Sequence, residues 1–212
     1  MTEKINWKSL LPGTEAVLHQ LSDEAGFLED FVMVGGSALS VRLCHRLSED
    51  LDFFTYHDNF DKTRIYEFFR GRDHRILHDA KDQIDLVYNG VKLSFFNARW
   101  SFLKPAAIGP VNVASLPQLA AMKIHTLFVR ATFRDYYDLY WLSMEMSLGE
   151  IYKNALLLMD GLNYKLFSTA LVYVDDIEDE NIAHLNPATN ITREQISQHF
   201  VYMLKTDLNR NS

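Results

Sequence analysis

Residues 35–54 read GGSALSVRLCHRLSEDLDFF, and this stretch decides the fold. It follows a short apolar run, Phe31-Val32-Met33-Val34, which suits a buried strand. Gly35 and Gly36 then mark a turn. Ser37 to Leu47 places Ala38, Leu39, Val41, Leu43 and Cys44 at helical spacing, with Cys44 on the apolar side as inert filler. Asp50 to Thr55 reads as the next strand. In a strand, residues two apart point to one face, roughly 6.6 Å along it. Asp50 and Asp52 therefore share a face, while Leu51 and Phe53 point into apolar surroundings.

Two neighbouring carboxylates repel each other unless a cation lies between them. Mg²⁺ meets that need, because it takes hard oxygen ligands and typically uses one or two carboxylates plus substrate phosphates. A glycine turn between a strand and a helix also allows close backbone approach, and it aims free N–H groups at an anion. Ser37 either donates to a phosphate oxygen or caps the helix. A phosphate cradle and a metal-binding pair thus fall at the same end of neighbouring strands.

Outward from this stretch, Leu10, Val17, Leu18 and Leu21 form one stripe of a helix around residues 13–28. A second helix is predicted over 61–69. Residues 84–97 contain IDLVYNGVKLSFF, two β-rich runs joined by Asn89-Gly90, which favours a type I′ hairpin. Val111 to Val113 adds a further short strand. Ser115, with Gln118 three positions on, opens a helix through Leu119, Met122, Ile124, Leu127 and Phe128. Thr132, followed by Asp135, opens another over 133–146. Three more helices are predicted within 151–162, 164–174 and 192–208. The pattern predicts an α+β fold: a small mixed sheet flanked by helices over residues 1–114, then a helical C-terminal part over 115–212, with the seam between 98 and 115.

The chain has 212 residues, 48% hydrophobic and 23% charged, as in an ordinary globular protein. No apolar run approaches the ~20 residues needed to span a bilayer. The N-terminal MTEKINWKSLLPG lacks the layout of a secretory signal, and the single cysteine excludes an internal disulfide. A cytoplasmic location is expected. The net charge of −7 argues against a generic nucleic-acid binder. Residues 62–81 are a local exception, with six Lys/Arg against three Asp/Glu, and the acidic run Asp175–Glu180 reads as a solvated loop.

Gly-Gly-Ser before a helix, then HRLSEDLDFF, resembles the AbiEii/AbiGii-type nucleotidyltransferases of the polymerase-β-like superfamily. The resemblance continues in VKLSFF, in SLPQLAAMK with its Lys123, and in Arg134-Asp135-Tyr136-Tyr137-Asp138-Leu139. It covers roughly residues 30–145. It implies a polymerase-β-like core, a nucleoside triphosphate (NTP) as substrate, and Mg²⁺ as cofactor. It also implies a hydroxyl acceptor on RNA (such as a tRNA 3′ end) or on a protein, and a cognate antitoxin in a bacterial toxin–antitoxin or phage-defence system. Under it, Gly35, Gly36 and Ser37 hold the triphosphate, Asp50 and Asp52 bind Mg²⁺, and Lys123 neutralises phosphate charge. Arg46 and Ser48 lie beside the acidic strand, where Arg46 either reaches a phosphate or anchors that strand. His45 reads as a structural hydrogen-bonder. Arg134 and Asp138 are four apart and can pair. With Asp135 they serve either the site or an ion-paired helix. Tyr136, Tyr137, Tyr140 and Trp141 either stack on a base or pack the core.

One position departs from that pattern. The superfamily generally places a third carboxylate on a neighbouring strand, as metal ligand and general base. Here Ser94 stands where that acid is expected, and Asp85 on the partner strand is the available substitute. Three readings follow: Asp85 supplies the acid, the site runs on two carboxylates, or transfer is weakened. The chain is accordingly an active nucleotidyltransferase, a non-catalytic nucleotide- or partner-binding member of the fold, or a small-molecule (antibiotic) nucleotidyltransferase.

Overall fold

A computed structural model describes residues 5–55, 57, 60–100, 102–103, 111–178 and 181–210, with side chains through 207. The first four residues, the end of the acidic run at Asp179 and Glu180, and much of the expected seam (101 and 104–110) lie outside the described residues. The chain divides into two compact units, residues 1–115 and 116–212.

The first unit is built on a five-stranded mixed sheet. Its strands are β1 (Phe31–Val34), β2 (Leu51–Thr55), β3 (His74–Ala80), β4 (Gln83–Tyr88) and β5 (Val91–Phe96), in the spatial order β1-β2-β5-β4-β3. β2 and β5 are parallel, and the other neighbours are antiparallel. The β4–β5 turn is the one its sequence predicts: Asn89 and Gly90 take φ of 49° and 80°, as a type I′ turn demands. One face of the sheet is a dry aromatic and aliphatic layer. Phe53 stacks on Phe95 at 5.4 Å between centroids, and Phe31 and Phe27 meet Phe95 edge-on. The buried stripe of α1 (Pro12–Glu24), namely Val17, Leu18 and Leu21, and Ile65 and Phe69 of α3 (Thr63–Phe69) belong to the same core.

Several boundaries differ from the sequence reading, each for a local reason. α1 stops at Glu24, and Gly26–Asp30 forms a 3-10 turn leading into β1. α2 spans Gly35–Leu43 rather than reaching Leu47, because Cys44 turns left-handed at φ 53°. Cys44 is exposed at that cap and accepts a hydrogen bond from the Asn6 amide, so it is not apolar filler. Ser48 instead bridges the backbone of Leu10. β2 starts at Leu51, because the Asp50 carbonyl accepts from the Ser37 hydroxyl rather than joining the ladder. Residues 111–113 make one parallel bridge, Val113 to Met33. β3 is absent from the sequence reading. It is an edge strand exposed along nearly its whole length, so it lacks the apolar alternation that marks a strand.

The second unit is helical: α4 (Leu116–Val129), α5 (Phe133–Glu145), α6 (Leu148–Ala155), α7 (Tyr164–Val172) and α8 (Arg193–Arg210). Thr132 and Asp135 form the predicted capping box, and Ser147 with Glu150 forms a second one that starts α6 earlier than its apolar pattern suggests. Tyr136 and Tyr137 are fully buried, and their hydroxyls donate to the carbonyls of Ala170 and Thr189. Both belong to the core. No helix among the described residues is long and apolar enough to cross a membrane.

The hairpin supplies a direct stability test. Gly90→Ala forces a side chain into the left-handed region at φ 80° and should cost about 1–2 kcal/mol, read as a lowered urea midpoint with unchanged m-value.

Candidate active site

The β1–α2–β2 junction brings together the residues that the opening stretch singled out. Gly35 has φ 70°, a conformation that L side chains rarely adopt. The space above it is taken as well: a Cβ there would lie 2.5 Å from Oδ2 of Asp52. The Asp52 carboxylate thus rests on the bare backbone at the start of α2, and Val34 is its register partner across the β1–β2 ladder. Gly36 is equally constrained, since a Cβ would meet Nη2 of Arg46 at 2.6 Å and Oγ of Ser48 at 3.4 Å. Arg46 and Ser48 are 5% and 6% exposed, so neither can simply swing aside.

The remaining contacts brace this junction. The buried Ser37 hydroxyl donates to the Asp50 carbonyl. Its placement ties the first turn of α2 to the start of β2, rather than capping the helix. Thr14 Oγ donates to the Glu49 carbonyl at 2.7 Å, and Arg46 Nη1 donates to the Leu47 carbonyl at 3.0 Å. Arg42 holds the carbonyls of Val113 and Ala114, at 3.1 and 2.6 Å. His45 is fully buried. Thr14 and Arg42 escaped sequence reading, because partners so far along the chain leave no local spacing signal.

Strand register extends the site across the sheet. Directly paired residues share a face. Val34, Asp52, Ser94, Asp85 and His78 therefore form one row across β1, β2, β5, β4 and β3. Two residues along the strands on that face, Phe54 and Phe96 meet at 4.9 Å, and Trp100 lies 5.2 Å from Phe54. Two residues the other way, Arg75, Val87 and Lys92 form a parallel row. Asp85 is 9% exposed; its Oδ2 accepts from Gln83 Nε2 at 2.8 Å, and its buried Oδ1 has no hydrogen-bond partner. No three His, Cys, Asp or Glu side chains among the described residues converge as a metal cluster.

The basic stretch 62–81 is partly neutralised where it folds. Lys62 pairs with Asp79, Arg64 with Asp30 and Glu29, and Arg72 with Glu24. Arg70, Arg75 and Lys81 are exposed.

The second unit holds Lys123, Asp135 and Asp138 in one buried cluster. The Lys123 ammonium lies 2.9 Å from Asp135 Oδ1 and 2.7 Å from Asp138 Oδ2, and both carboxylates are fully buried. Asp135 also accepts from Arg130, from the Thr132 hydroxyl and from the Thr132 backbone N–H. Burial alone would push its carboxyl up. The Lys123 ammonium and the Arg130 guanidinium outweigh that and hold it well below the usual carboxylate range. Lys123 is therefore neither a solvated helix lysine nor an unengaged cation. Arg134, on the same helix, is half-exposed.

A family model described as nucleotidyl transferase AbiEii toxin, type IV toxin–antitoxin system, matches residues 17–165. The chain belongs to this AbiEii nucleotidyltransferase family. An uncharacterised protein of Aquifex aeolicus (strain VF5) is 30% identical over 170 residues, covering 76% of this chain and 82% of its own. Among solved structures, MenT4, a nucleotidyltransferase toxin of Mycobacterium tuberculosis H37Rv, aligns over 91% of this chain and 84% of its own, with TM-score 0.58 and 14% identity. JHP933 of Helicobacter pylori aligns over 90% and 89%, with TM-score 0.57 and 15% identity. At these identities the likeness shows the nucleotidyltransferase fold. The AbiEii assignment rests on the family model.

Two outcomes test the geometry of the two units separately. Gly35→Ala should cost about 1–2 kcal/mol from its backbone alone and more from the clash with Asp52 Oδ2, read as a lowered urea midpoint. Lys123→Met leaves two buried carboxylates without their shared cation and should cost about 3–5 kcal/mol. The pH dependence follows from the lowered Asp135 pKa. Its stabilisation is present above the ordinary carboxylate value of 3.8 and is lost as pH falls from there toward the lower folded value. Asp135→Asn should flatten that acid limb in urea titrations run from about pH 6 to 3.

Proposed function

We propose that the chain is a Mg²⁺-dependent nucleotidyltransferase that moves a nucleotide from an NTP to a hydroxyl acceptor, as the toxin of a bacterial toxin–antitoxin pair acting in the cytoplasm. The observation that carries this reading is the Asp52 carboxylate seated on the side-chain-free Gly35 at the N-terminus of α2. Hard carboxylate oxygens beside a bare helix start fit a small divalent cation and the phosphates it accompanies. Asp50 and Asp52 would hold Mg²⁺, which neutralises phosphate charge when bound. Free N–H groups of the first α2 turn bind phosphate oxygens, and Gly36 admits them close to the backbone. Arg46, packed behind Gly36, adds positive charge there. Ser37 and Ser48 keep the acidic strand in register with the cradle. The aromatic patch of Phe54, Phe96 and Trp100 lies on the Asp52 face and suits a nucleobase, since stacking is worth about 1–3 kcal/mol per base.

Lys123, Arg134, Asp135 and Asp138 are the second-unit residues that resemble the family's motif. Their buried ion pairs support a positioning role for Asp135 and Asp138, which fix the Lys123 ammonium at a defined point. Exposed Arg70, Arg75 and Lys81 favour a polyanionic acceptor such as tRNA over a cationic antibiotic. A cognate antitoxin completes the pair.

A second reading has its own observation. With Ser94 where the resemblance expects an acid, and no group of three metal-binding side chains among the described residues, a non-catalytic nucleotide-binding member would look the same. Transfer of label from α-phosphate-labelled NTPs into RNA or protein decides between them. Asp50→Asn and Asp52→Asn should each lower transfer by about a hundredfold or more while leaving circular dichroism and the melting temperature intact. Full activity in either variant would sink the assignment, and Mg²⁺–NTP binding without any transfer would establish the binding module.

A further inference from the structure

We infer that Lys92 and Arg75 form a phosphate-binding pair on the acid-bearing face of the sheet, where they take a phosphate group of a substrate beside Asp50. The inference rests on the nucleotidyltransferase reading of the Asp50/Asp52 site.

Strand register places the pair. β5 runs parallel to β2, with Leu51 paired to Leu93 and Asp52 to Ser94. One residue back along both chains come Asp50 and Lys92, so their backbones lie about one strand spacing, 4.8 Å, apart. Residues two apart on a strand share a face, which sets Lys92 on the same face as Ser94 and Asp52. Lys92 pairs with Val87, and Val87 with Arg75, so Arg75 joins that face. The row leads from the start of β2 to β3, the outermost strand of the sheet.

Both cations are open to a ligand. Lys92 is the one fully exposed position of β5, and Arg75 is exposed on β3. Neither has an ion pair or a side-chain hydrogen bond among the described residues. Most other cations of the first unit are occupied. Lys62, Arg64, Arg72 and Arg99 stand in ion pairs, and Arg42 holds two backbone carbonyls. Val87, half-buried between Lys92 and Arg75, brings no polar group to compete for them. In a chain of net charge −7, two unpaired cations thus stand on the face that carries Asp52 and Asp85.

Their chemistry fits a phosphate. A phosphate that approaches this face meets like charge from the carboxylates, and a cation on the open side offsets it. Two strand spacings, about 10 Å between backbones, separate Lys92 from Arg75. Their long stems can close on one phosphate from both sides or hold two successive ones. The arginine fork accepts two phosphate oxygens at once, while the lysine ammonium acts as a compact point charge. The phosphate comes either from the NTP or from the backbone of a nucleic-acid acceptor, and the two sources separate in the test.

The test uses the full chain as wild type and in four variants. These are Lys92→Gln with Arg75→Gln, Lys92→Arg, Asp52→Asn, and Lys165→Gln with Lys205→Gln as a charge-matched control at exposed helix positions. Calorimetry with Mg²⁺ and each NTP reads the nucleotide arm. Fluorescence anisotropy with a single-stranded RNA oligonucleotide, repeated from about 50 to 200 mM salt, reads the acceptor arm. The Lys92/Arg75 double variant should keep the wild-type melting temperature and lose affinity about tenfold or more in at least one arm. Lys92→Arg should retain affinity, and the control should match the wild type. A loss in calorimetry assigns the phosphate to the NTP. A loss in anisotropy assigns it to the acceptor, and the slope of log affinity against log salt should then be shallower by about 1.4. Unchanged affinity in both arms, an equal loss in the control, or a large fall in melting temperature overturns the inference while leaving the Asp50/Asp52 reading in place. If the wild type binds no NTP, or Asp52→Asn binds it normally, that reading falls and takes the inference with it.

Discussion

The first unit is organised around one steric constraint, the seat of the Asp52 carboxylate on the backbone of Gly35. A Cβ at that position would lie 2.5 Å from the Asp52 oxygen, and the backbone there already sits at φ 70°. Only glycine satisfies both conditions. The same junction is closed from behind by Gly36 against Arg46, and from below by Ser37 on the Asp50 carbonyl. The β1 strand, the α2 start and the β2 acids are thus one mechanical piece. Loosening any member moves the carboxylate relative to the free N–H groups of the helix, and site chemistry is sensitive to displacements of about 1 Å.

The second unit solves a different electrostatic problem. Asp135 and Asp138 are both fully buried, and such charges survive only when paired and hydrogen-bonded. Lys123 bridges them from α4 to α5, and Arg130 and Thr132 close the remaining lone pairs of Asp135. Buried ion pairs add little net stability compared with well-packed apolar residues, but losing one member is costly. A cluster of this kind therefore fixes where an ammonium sits more than it strengthens the fold.

Legibility from sequence followed local encoding. The Asn89-Gly90 turn and the Thr132/Asp135 cap were readable because each depends on two or three adjacent residues with special backbone or hydrogen-bond chemistry. Asp52 was readable because strand periodicity fixes its face, whereas Asp50 falls one residue before β2. β3 was not, since an exposed edge strand has no reason to alternate. The end of α2 at Cys44 was missed because a non-glycine left-handed cap carries no compositional flag. The burial of Lys123 was hidden for another reason: its partners come from the next helix, and a lysine between Met122 and Ile124 looks the same whether solvated or paired. Arg42 and Thr14 were invisible because their acceptors are backbone carbonyls 71, 72 and 35 residues away.

Ser94 shows how sequence and register answer different parts of one question. Read along the chain, VKLSFF simply lacks an acid. Read across the sheet, the same position lies between two acids, because pairing puts Asp52 on one side of Ser94 and Asp85 on the other. A buried carboxylate oxygen without a partner destabilises a fold by about 1–3 kcal/mol. Asp85 remains in place at 9% exposure, held by Gln83. Spacing along the chain separates Asp52, Asp85 and Ser94; only the strand register sets them in one row, with the buried Asp85 carboxylate next to Ser94.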